Sequence, residues 1–452
     1  MVYLPHWPIP HTLGNRKIDY ETVFERAGKV LENLGNCHKK MPPIIHIAGT
    51  NGKGSSAALL AEIFARAGYK AHVYTSPHLH NCNERIILAG EKISDNFLFE
   101  VIEETRIAAA EIPLTFMEGF TCAAFLAFSK TPADVVIIEC GLGGRIDITN
   151  IIEEKILTII TPISFDHMEY LGENIERIAL EKAMIMRQNT PLVVSAQSEA
   201  AKNIIKILAN DQKISAYFYD EDFEILLDEE NGFFDFKFGE IVFENLPKPA
   251  LLGSHQYVNF ATVIAGVLTI LDKFKIDGEH IRAAISNVFW PSRLERVGND
   301  LNKILDGDFL QDKPRNNCGV TAIKNCENEI FIDGAHNPSG ALSLATWLKE
   351  QKDEKLNFVI CGFSKGKCKK DFLKQFDGIA EILAVRVNGE PNPEDPKIIS
   401  QIGGEIGLKI PAFLDLSDAV FYVKEKIKKQ RCRVVICGSL HLARDVDNSM
   451  LR

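Results

Sequence analysis

The chain reads as an α/β protein of two domains: a large P-loop-type N-terminal domain on a mainly parallel sheet, and a smaller, Rossmann-like α/β domain at the C-terminal end. Three observations predict this. At 452 residues the chain is longer than one ordinary core organises. Short apolar runs alternate with helical patterns along most of it, the order that gives a parallel sheet covered by helices. A glycine-rich turn, HIAGTNGKGSS from His46 to Ser56, joins the first apolar run to the first helix of the series.

Pro43, Ile44, Ile45 and Ile47 predict a short buried strand, and the Ala/Leu content of Ser55 to Ala67 predicts a helix. Further strands are expected at Lys70 to Thr75, Val135 to Glu139, Ile156 to Ile160 and Leu192 to Ser195. Helices are expected near Asp95 to Ile112, Thr121 to Ser129 and Ile175 to Met186. From Tyr217 to Phe243 the pattern changes to short aromatic-rich strands with a turn at Asn231-Gly232, an antiparallel excursion. Two helices, near Gln256 to Leu271 and Gly278 to Asn287, lead to Trp290-Pro291. Alternation then resumes, with strands at Glu329 to Ile332, Phe358 to Cys361, Ile382 to Val385 and Val434 to Cys437 and helices at Ala341 to Glu350 and Ser417 to Lys429. The domain boundary is placed after Val297, dividing the chain into 1–297 and 298–452. Asn299 to Asn328, rich in Asp, Asn and Lys, reads as a surface excursion without an interpretable motif.

A hydrophobic content of 46% with 25% charged residues is that of a globular protein. The net charge of −10 argues against a broad grip on nucleic acid, and no apolar run reaches the roughly 18 residues that span a membrane. MVYLPHWPIPHTLG lacks a basic segment followed by an apolar one, so no secretory signal is expected. The ten cysteines form no CxxC pair and no zinc-spaced cluster, which predicts buried free thiols and a cytoplasmic location.

The chemistry concentrates where strands end. Gly49, Gly52 and Gly54 let the backbone turn its N–H groups toward one point at a helix N-terminus, Lys53 can reach ATP β/γ-phosphates, and the Ser55 hydroxyl can bind Mg²⁺. The turn departs from an ordinary Walker A: Ile47 stands where its first glycine belongs, and Gly54 separates Lys53 from Ser55. Ser76 follows one strand, and Glu139 ends another before the Gly141-Leu142-Gly143-Gly144 turn. His167 lies just past a third, and Lys182 sits on a helix among apolar neighbours. Ser76 and Glu139 carry the hard oxygen atoms Mg²⁺ prefers. Asp333, delivered by a strand into Gly-Ala-His-Asn-Pro, suits ribose hydroxyls, with His336 beside it.

In order, GTNGKGS, TSPHL, NERI, ECGLGGRIDITN, DHMEYLG, EKA, HQYVNFA, WPSRLE and IDGAHNP closely resemble the folylpolyglutamate synthase and dihydrofolate synthase family of the Mur ligase superfamily, from about Ile18 to Ser439. The resemblance implies an ATP phosphate loop at Thr50, Asn51, Gly52, Lys53, Gly54 and Ser55, with Asn259, Arg293, Asp333 and His336 as further ATP-binding positions. It implies metal ligands at Ser55, Ser76, Glu139 and His167, and at Lys182 as its carbamate, which would serve two Mg²⁺ sites. Lys53, Lys182 and His167 become the catalytic set. Pterin or folate contacts are implied at Lys17, Ile18, Asp19 and Tyr20, at Thr115, Phe116, Met117 and Glu118, and at Ile146, Asp147 and Ile148. The chain departs from the family at Met184, where glycine usually follows EKA, at Ser292, where glycine or alanine is common, and after Asp19, where Tyr20 to Arg26 replaces LGLERV.

The expected activity is a carboxylate–amine ligase: ATP activates the carboxylate of dihydropteroate and/or a reduced folate as an acyl phosphate, which L-glutamate attacks. The N-terminal domain would hold ATP and the C-terminal domain would be the glutamate ligase domain. Neither nucleic acid nor a membrane is an expected partner, and the family expectation is a monomer. Two alternatives are a ligase acting on UDP-muramoyl peptides, which shares the ATP machinery, and, in a different class, a catalytically silent nucleotide-binding or regulatory protein.

Overall fold

The computed structural model describes residues 22–228, 232–298, 328–390, 392–427 and 430–449. The chain divides into two compact units. The first comprises Met1–Ser164, Met168–Ala250 and Tyr257–Val288, the second Phe165–His167, Leu251–Gln256 and Phe289–Arg452. Lys17 to Tyr20 and residues 299–327 lie outside the described residues.

In the first unit the strands are β1 (Ile44–Ala48), β2 (Ala71–Tyr74), β3 (Ile86–Leu88), β4 (Glu91–Lys92), β5 (Val135–Glu139), β6 (Leu157–Ile160), β7 (Leu192–Val194) and β8 (Ala216–Phe218). They form a sheet in the order β4-β3-β2-β5-β1-β6-β7-β8, parallel except for β3 and β4. The apolar runs that announced β1, β5 and β6 are continuous because these strands are covered on both faces, so alternation is not required of them. β1 lies between β5 and β6, with Ile47 level with Glu139 on one side and Ile159 on the other. The carboxyl ends of β1, β5, β6 and β2 therefore share one edge, where ligands of such sheets bind.

The covering helices are α1 (Val23–Asn33), α2 (Lys53–Arg66), α3 (Asp95–Ala109), α4 (Phe116–Lys130), α5 (Met168–Leu171), α6 (Ile175–Ala183), α7 (Glu199–Asp211), α8 (His255–Leu268) and α9 (Gly278–Asn287). α4 starts at a Thr115–Glu118 capping box, five residues ahead of its expected start, and buries an unbroken run from Glu118 to Phe128. Phe120, Phe125 and Phe128 have no exposed area, each contributing on the order of 1.5–3 kcal/mol of apolar burial. The aromatic segment forms a separate antiparallel sheet from β9 (Phe223–Asp228), β10 (Phe233–Phe238) and β11 (Ile241–Leu246).

The second unit has a six-stranded sheet. Its members are β12 (Glu295–Gly298), β13 (Glu329–Ile332), β14 (Leu356–Cys361), β15 (Glu381–Val385), β16 (Ala412–Phe413) and β17 (Cys432–Cys437), ordered β12-β13-β17-β14-β15-β16. All pairings are parallel except β12 with β13. The division expected after Val297 passes through β12, which pairs into this sheet. α10 (Pro338–Glu350) follows β13, with Asn337 as its cap and Pro338 in its first turn.

Candidate active site

The phosphate loop is built tightly against the segment after β6. Thr50 N donates to Pro162 O at 2.9 Å, Ser164 N donates to Thr50 Oγ1 at 3.0 Å, and Thr50 Oγ1 donates to Ser164 O at 3.1 Å. Gly49 (φ +145°) runs so close to this segment that a Cβ would lie 1.9 Å from Thr161 Oγ1. Gly52 (φ +85°) caps α2, and a Cβ there would lie 2.5 Å from Asn259 Oδ1, so Asn259 closes over the loop from α8. Both positions demand glycine for conformation and for room. Lys53 Nζ donates to Gly49 O and Thr50 O, each at 3.1 Å, and stands 3.9 Å from Glu139 Oε1. Ser55 is buried in the first turn of α2. Asn51 N shares Pro162 O, and Gly54 is buried at the start of the helix.

Lys182 comes to the same loop from α6. It is buried, and its Nζ donates to Gly49 O at 2.9 Å. α6 is held by the turn after β5, where Arg145 N donates to Glu181 O at 2.7 Å and Arg145 Nε to Glu181 Oε1 at 3.0 Å. Glu139 is buried at the end of β5, with Ser76 N 3.4 Å from its Oε2. The structure thus brings Thr50 to Ser55, Ser76, Glu139, Lys182 and Asn259 to one edge of the large sheet. Beneath them His46 is fully buried, with Nε2 2.9 Å from Thr149 Oγ1 and 3.1 Å from Cys140 Sγ. Burial and the charges of Lys155 and Arg187 push its pKa well down, so it stays neutral.

The segments expected to meet a pterin are largely occupied in shaping the protein. Asp147 accepts from Leu142 N at 2.8 Å and from Thr149 N at 3.0 Å, which folds the glycine turn between Ile146 and the buried Ile148. Glu118 caps α4 with Thr115 and pairs with Arg26 Nη2 at 2.6 Å. Phe116 and Met117 instead border Arg85, a buried residue of NERI to which the sequence assigns no role.

In the second unit, Asp333 ends β13 and accepts from Ala335 N at 2.7 Å and Leu294 N at 2.8 Å. Burial pushes its carboxyl pKa up, while the charge of Arg293 and the two N–H donors oppose the shift. His336 Nδ1 lies 2.8 Å from Gly334 O, and Nε2 lies 3.0 Å from Asp166 Oδ2. Asp166 also accepts from Lys367 Nζ at 2.6 Å and Asn337 Nδ2 at 3.3 Å. Burial alone would raise the Asp166 carboxyl, but the hydrogen bond and charge of His336, with His167 and Lys367, hold it below the carboxylate range. His167, half-exposed with φ +50°, lies on this same loop. Sequence reasoning overlooked Asp166 and Lys367. DHMEYLG contains the first, but the partners that give both a role lie 170 to 201 residues away.

Among the described residues no group of three or more His, Cys, Asp and Glu side chains is gathered as a metal site. The donors along the phosphate-loop edge are of another kind: the Ser55 and Ser76 hydroxyls and the Glu139 carboxylate, hard oxygens that fit a cation bound jointly with phosphates.

A glycine-lined phosphate loop on a parallel sheet, two lysines on one loop carbonyl and a second α/β unit together define an ATP-dependent ligase of the Mur type. The Mur ligase middle domain matches residues 47–267, and the dihydrofolate synthetase C-terminal domain matches residues 316–451. The chain is 32% identical over 338 residues to the dihydrofolate synthase/folylpolyglutamate synthase of Escherichia coli (strain K12), covering 73% of this chain and 76% of that one. To the enzyme of the same description from Bacillus subtilis (strain 168) it is 29% identical over 450 residues, 96% of each chain. A bifunctional folylpolyglutamate synthase/dihydrofolate synthase with Mn, AMPPNP and L-glutamate bound matches with a TM-score of 0.79 at 26% identity, covering 95% of this chain and 94% of that one. The chain belongs to the dihydrofolate synthase/folylpolyglutamate synthase family.

Proposed function

We propose that this chain couples L-glutamate to dihydropteroate and/or to reduced folates with conversion of ATP to ADP and phosphate. The observation that carries this is the Gly49 carbonyl, which receives both Lys53 and Lys182 at the mouth of the phosphate loop. The Lys53 ammonium and the N-terminal amides of α2 converge where transferred phosphoryl charge develops, with Lys182 beside them on the same carbonyl, and such positioning with charge neutralisation is most of what phosphoryl transfer needs. The carboxylate oxygen of the acid bonds to the γ-phosphorus as the bond to ADP breaks. The glutamate amine then bonds to the acyl carbon, phosphate leaves, and the amine loses a proton. No protein nucleophile is required.

Ser55, Ser76 and Glu139 are the proposed Mg²⁺ ligands, with His167 and carbamylated Lys182 as further donors toward a second ion. Mg²⁺ supplies further charge neutralisation at the phosphates. Asn259, Arg293, Asp333 and His336 are proposed for the nucleotide, and a monomer working in the cytoplasm is the proposed setting. Family relatives carrying both activity names, and one with AMPPNP, Mn and L-glutamate bound, support this reading. The test is ATP, Mg²⁺ and glutamate with dihydropteroate or tetrahydrofolate, followed by product mass. Coupling to a UDP-muramoyl peptide instead would overturn it. Lys182→Ala is expected to lose most turnover, with partial rescue by added short carboxylic acids; full activity would remove the carbamate role.

A further inference from the structure

His46 interrupts an otherwise apolar strand. It stands in the middle of β1, fully buried, with Ile138 of β5 level with it on one side and Thr158 of β6 on the other. A polar ring inside a sheet is costly unless its nitrogens are used, yet no step of the proposed reaction touches it. Its Nε2 lies 2.9 Å from Thr149 Oγ1 and 3.1 Å from Cys140 Sγ, whereas Nδ1 has no hydrogen-bond partner among the described residues. Thr149 Oγ1 in turn donates to Asp147 Oδ1 at 2.5 Å.

Donor counting gives this chain a direction. A threonine hydroxyl has one proton, and here the Asp147 carboxylate takes it, so the hydroxyl oxygen accepts from the ring. The neutral imidazole therefore carries its proton on Nε2 and leaves Nδ1 bare, a tautomer assigned from the hydrogen-bond network and matched by the nitrogen that lacks a partner. At the far end Asp147 is held on both oxygens. Oδ1 also accepts from Thr149 N at 3.0 Å, and Oδ2 accepts from Leu142 N at 2.8 Å, in the glycine turn that leaves Glu139. A Cβ placed on Gly141 would lie 3.3 Å from Asp147 Oδ2 and 3.5 Å from Ser76 Oγ, so the anchored carboxylate and the Ser76 hydroxyl flank the same backbone position. The ring thus meets the turn twice: directly at Cys140, the residue after Glu139, and through Thr149 and Asp147 at Leu142.

We propose that His46 is a positioning residue: its Nε2 proton, relayed through Thr149 to Asp147, fixes the turn at residues 140–142 and with it the placing of Glu139 and Ser76 toward a nucleotide-bound cation. The roles of Glu139 and Ser76 rest on the ligase reading, and calorimetric binding of Mn²⁺ in the presence of ADP, with no glutamate or acid substrate, tests the relay apart from turnover. Wild type that binds Mn²⁺ with ADP yet couples no glutamate would sink the ligase reading alone. Groups that orient metal ligands carry roughly 10- to 100-fold in metal affinity, so His46→Leu and Thr149→Val, which cut the relay at different atoms, are each expected to weaken Mn²⁺ binding by about 10-fold and metal-free ADP binding by less than about twofold. Two cuts in one relay should not multiply, and the double variant is expected to match either single one. His46→Gln, whose amide nitrogen can donate from the Nε2 position, should recover most of the loss. In ¹⁵N spectra of the wild type, the ring that His46→Gln removes should be protonated at Nε2 and bare at Nδ1. A proton on Nδ1, unchanged Mn²⁺ affinity in Thr149→Val, glutamine behaving as leucine does, or no Mn²⁺ binding by wild type with ADP overturns the assignment. So does a lowered melting temperature in which Mn²⁺ and ADP affinities fall together, the result a merely structural histidine would give.

Discussion

Two arginines, one in each unit, are buried against aromatic faces, yet the fold treats them in opposite ways. Arg433, 2% exposed on β17, lies 5.6 Å over Trp347 and reaches Glu329 at 2.8 Å, Asp353 at 2.6 Å and Asn357 at 3.3 Å. Arg85 has a similar aromatic floor and no carboxylate among the described residues. Arg433 sits where β17 begins, opposite the strand ends that carry Asp333 and His336, while Arg85 borders residues proposed for chemistry. A fold that supplies the counter-ion is using the charge as structure. Where none of the described residues supplies it, removing the charge is expected to cost less stability.

The largest expected effect comes from emptying the paired site. Arg433→Met takes the buried cation from between Glu329 and Asp353, which keep Lys355 at 2.9 and 3.2 Å, and is expected to cost about 1.5–3 kcal/mol, read as a lower midpoint in denaturant melts. Arg85→Met, which takes no counter-ion from any carboxylate among the described residues, is expected to melt at or above the wild-type temperature. If the two variants shift stability alike, the distinction between the sites collapses.

Asp353→Asn sharpens the same point at smaller scale. Burial alone would raise the Asp353 carboxyl, but Arg433 and Lys355 hold it below its ordinary value. A depressed folded pKa gives stability that is present above the unfolded value, near 4, and is lost as pH falls through the folded one. Because this side chain is 40% exposed, the variant should cost less than about 1 kcal/mol at neutral pH. The difference from wild type should disappear at pH 2 to 3 in acid melts; a gap that persists there would assign the effect to packing.

The contrast also explains what the sequence disclosed. Gly49 and Gly52 announced the phosphate loop because backbone conformation and close approach are local demands that residue type encodes. Continuous apolar runs announced β1, β5 and β14 for the same reason. α7 carried an equally legible mark, Ala201, Ile205 and Ala209 along one buried face after a Ser198 cap, yet strand-to-helix alternation alone did not require it. The partners of Arg85, Asp166 and Arg433 were not legible. Arg26 meeting Glu118 across 92 residues, and Arg433 meeting Asp353 across 80, depend on how sheets and helices are stacked, which spacing along a chain does not encode. NERI and DHMEYLG therefore exposed two of these residues as members of motifs while leaving their tasks to geometry.

Lys155 sets a limit on the contrast, and its effect is the smallest expected. Like Arg85 it is a buried cation without a carboxylate in ion-pair range among the described residues, but oxygen acceptors meet it: Asn150 Oδ1 at 2.9 Å and Ile185 O at 2.8 Å. These bonds tie the turn after β5 to the end of α6, so its role is structural and no ligand is implied. Burial, reinforced by the charge of Arg187, pulls its pKa down to about 7. Unfolded, the same lysine titrates near 10.4, so between these values the unfolded chain binds more protons and stability rises with pH. Methionine at this position has no such slope. The melting temperature of Lys155→Met minus that of wild type should therefore be more positive at pH 6 than at pH 9, whatever its absolute sign, since the variant escapes the cost of a buried ammonium and forfeits two hydrogen bonds at both values. A difference that is flat with pH would mean that Asn150 and Ile185 stabilise the charged form well enough to cancel its burial, and satisfied oxygen acceptors would then rank with carboxylates as structural counter-charge.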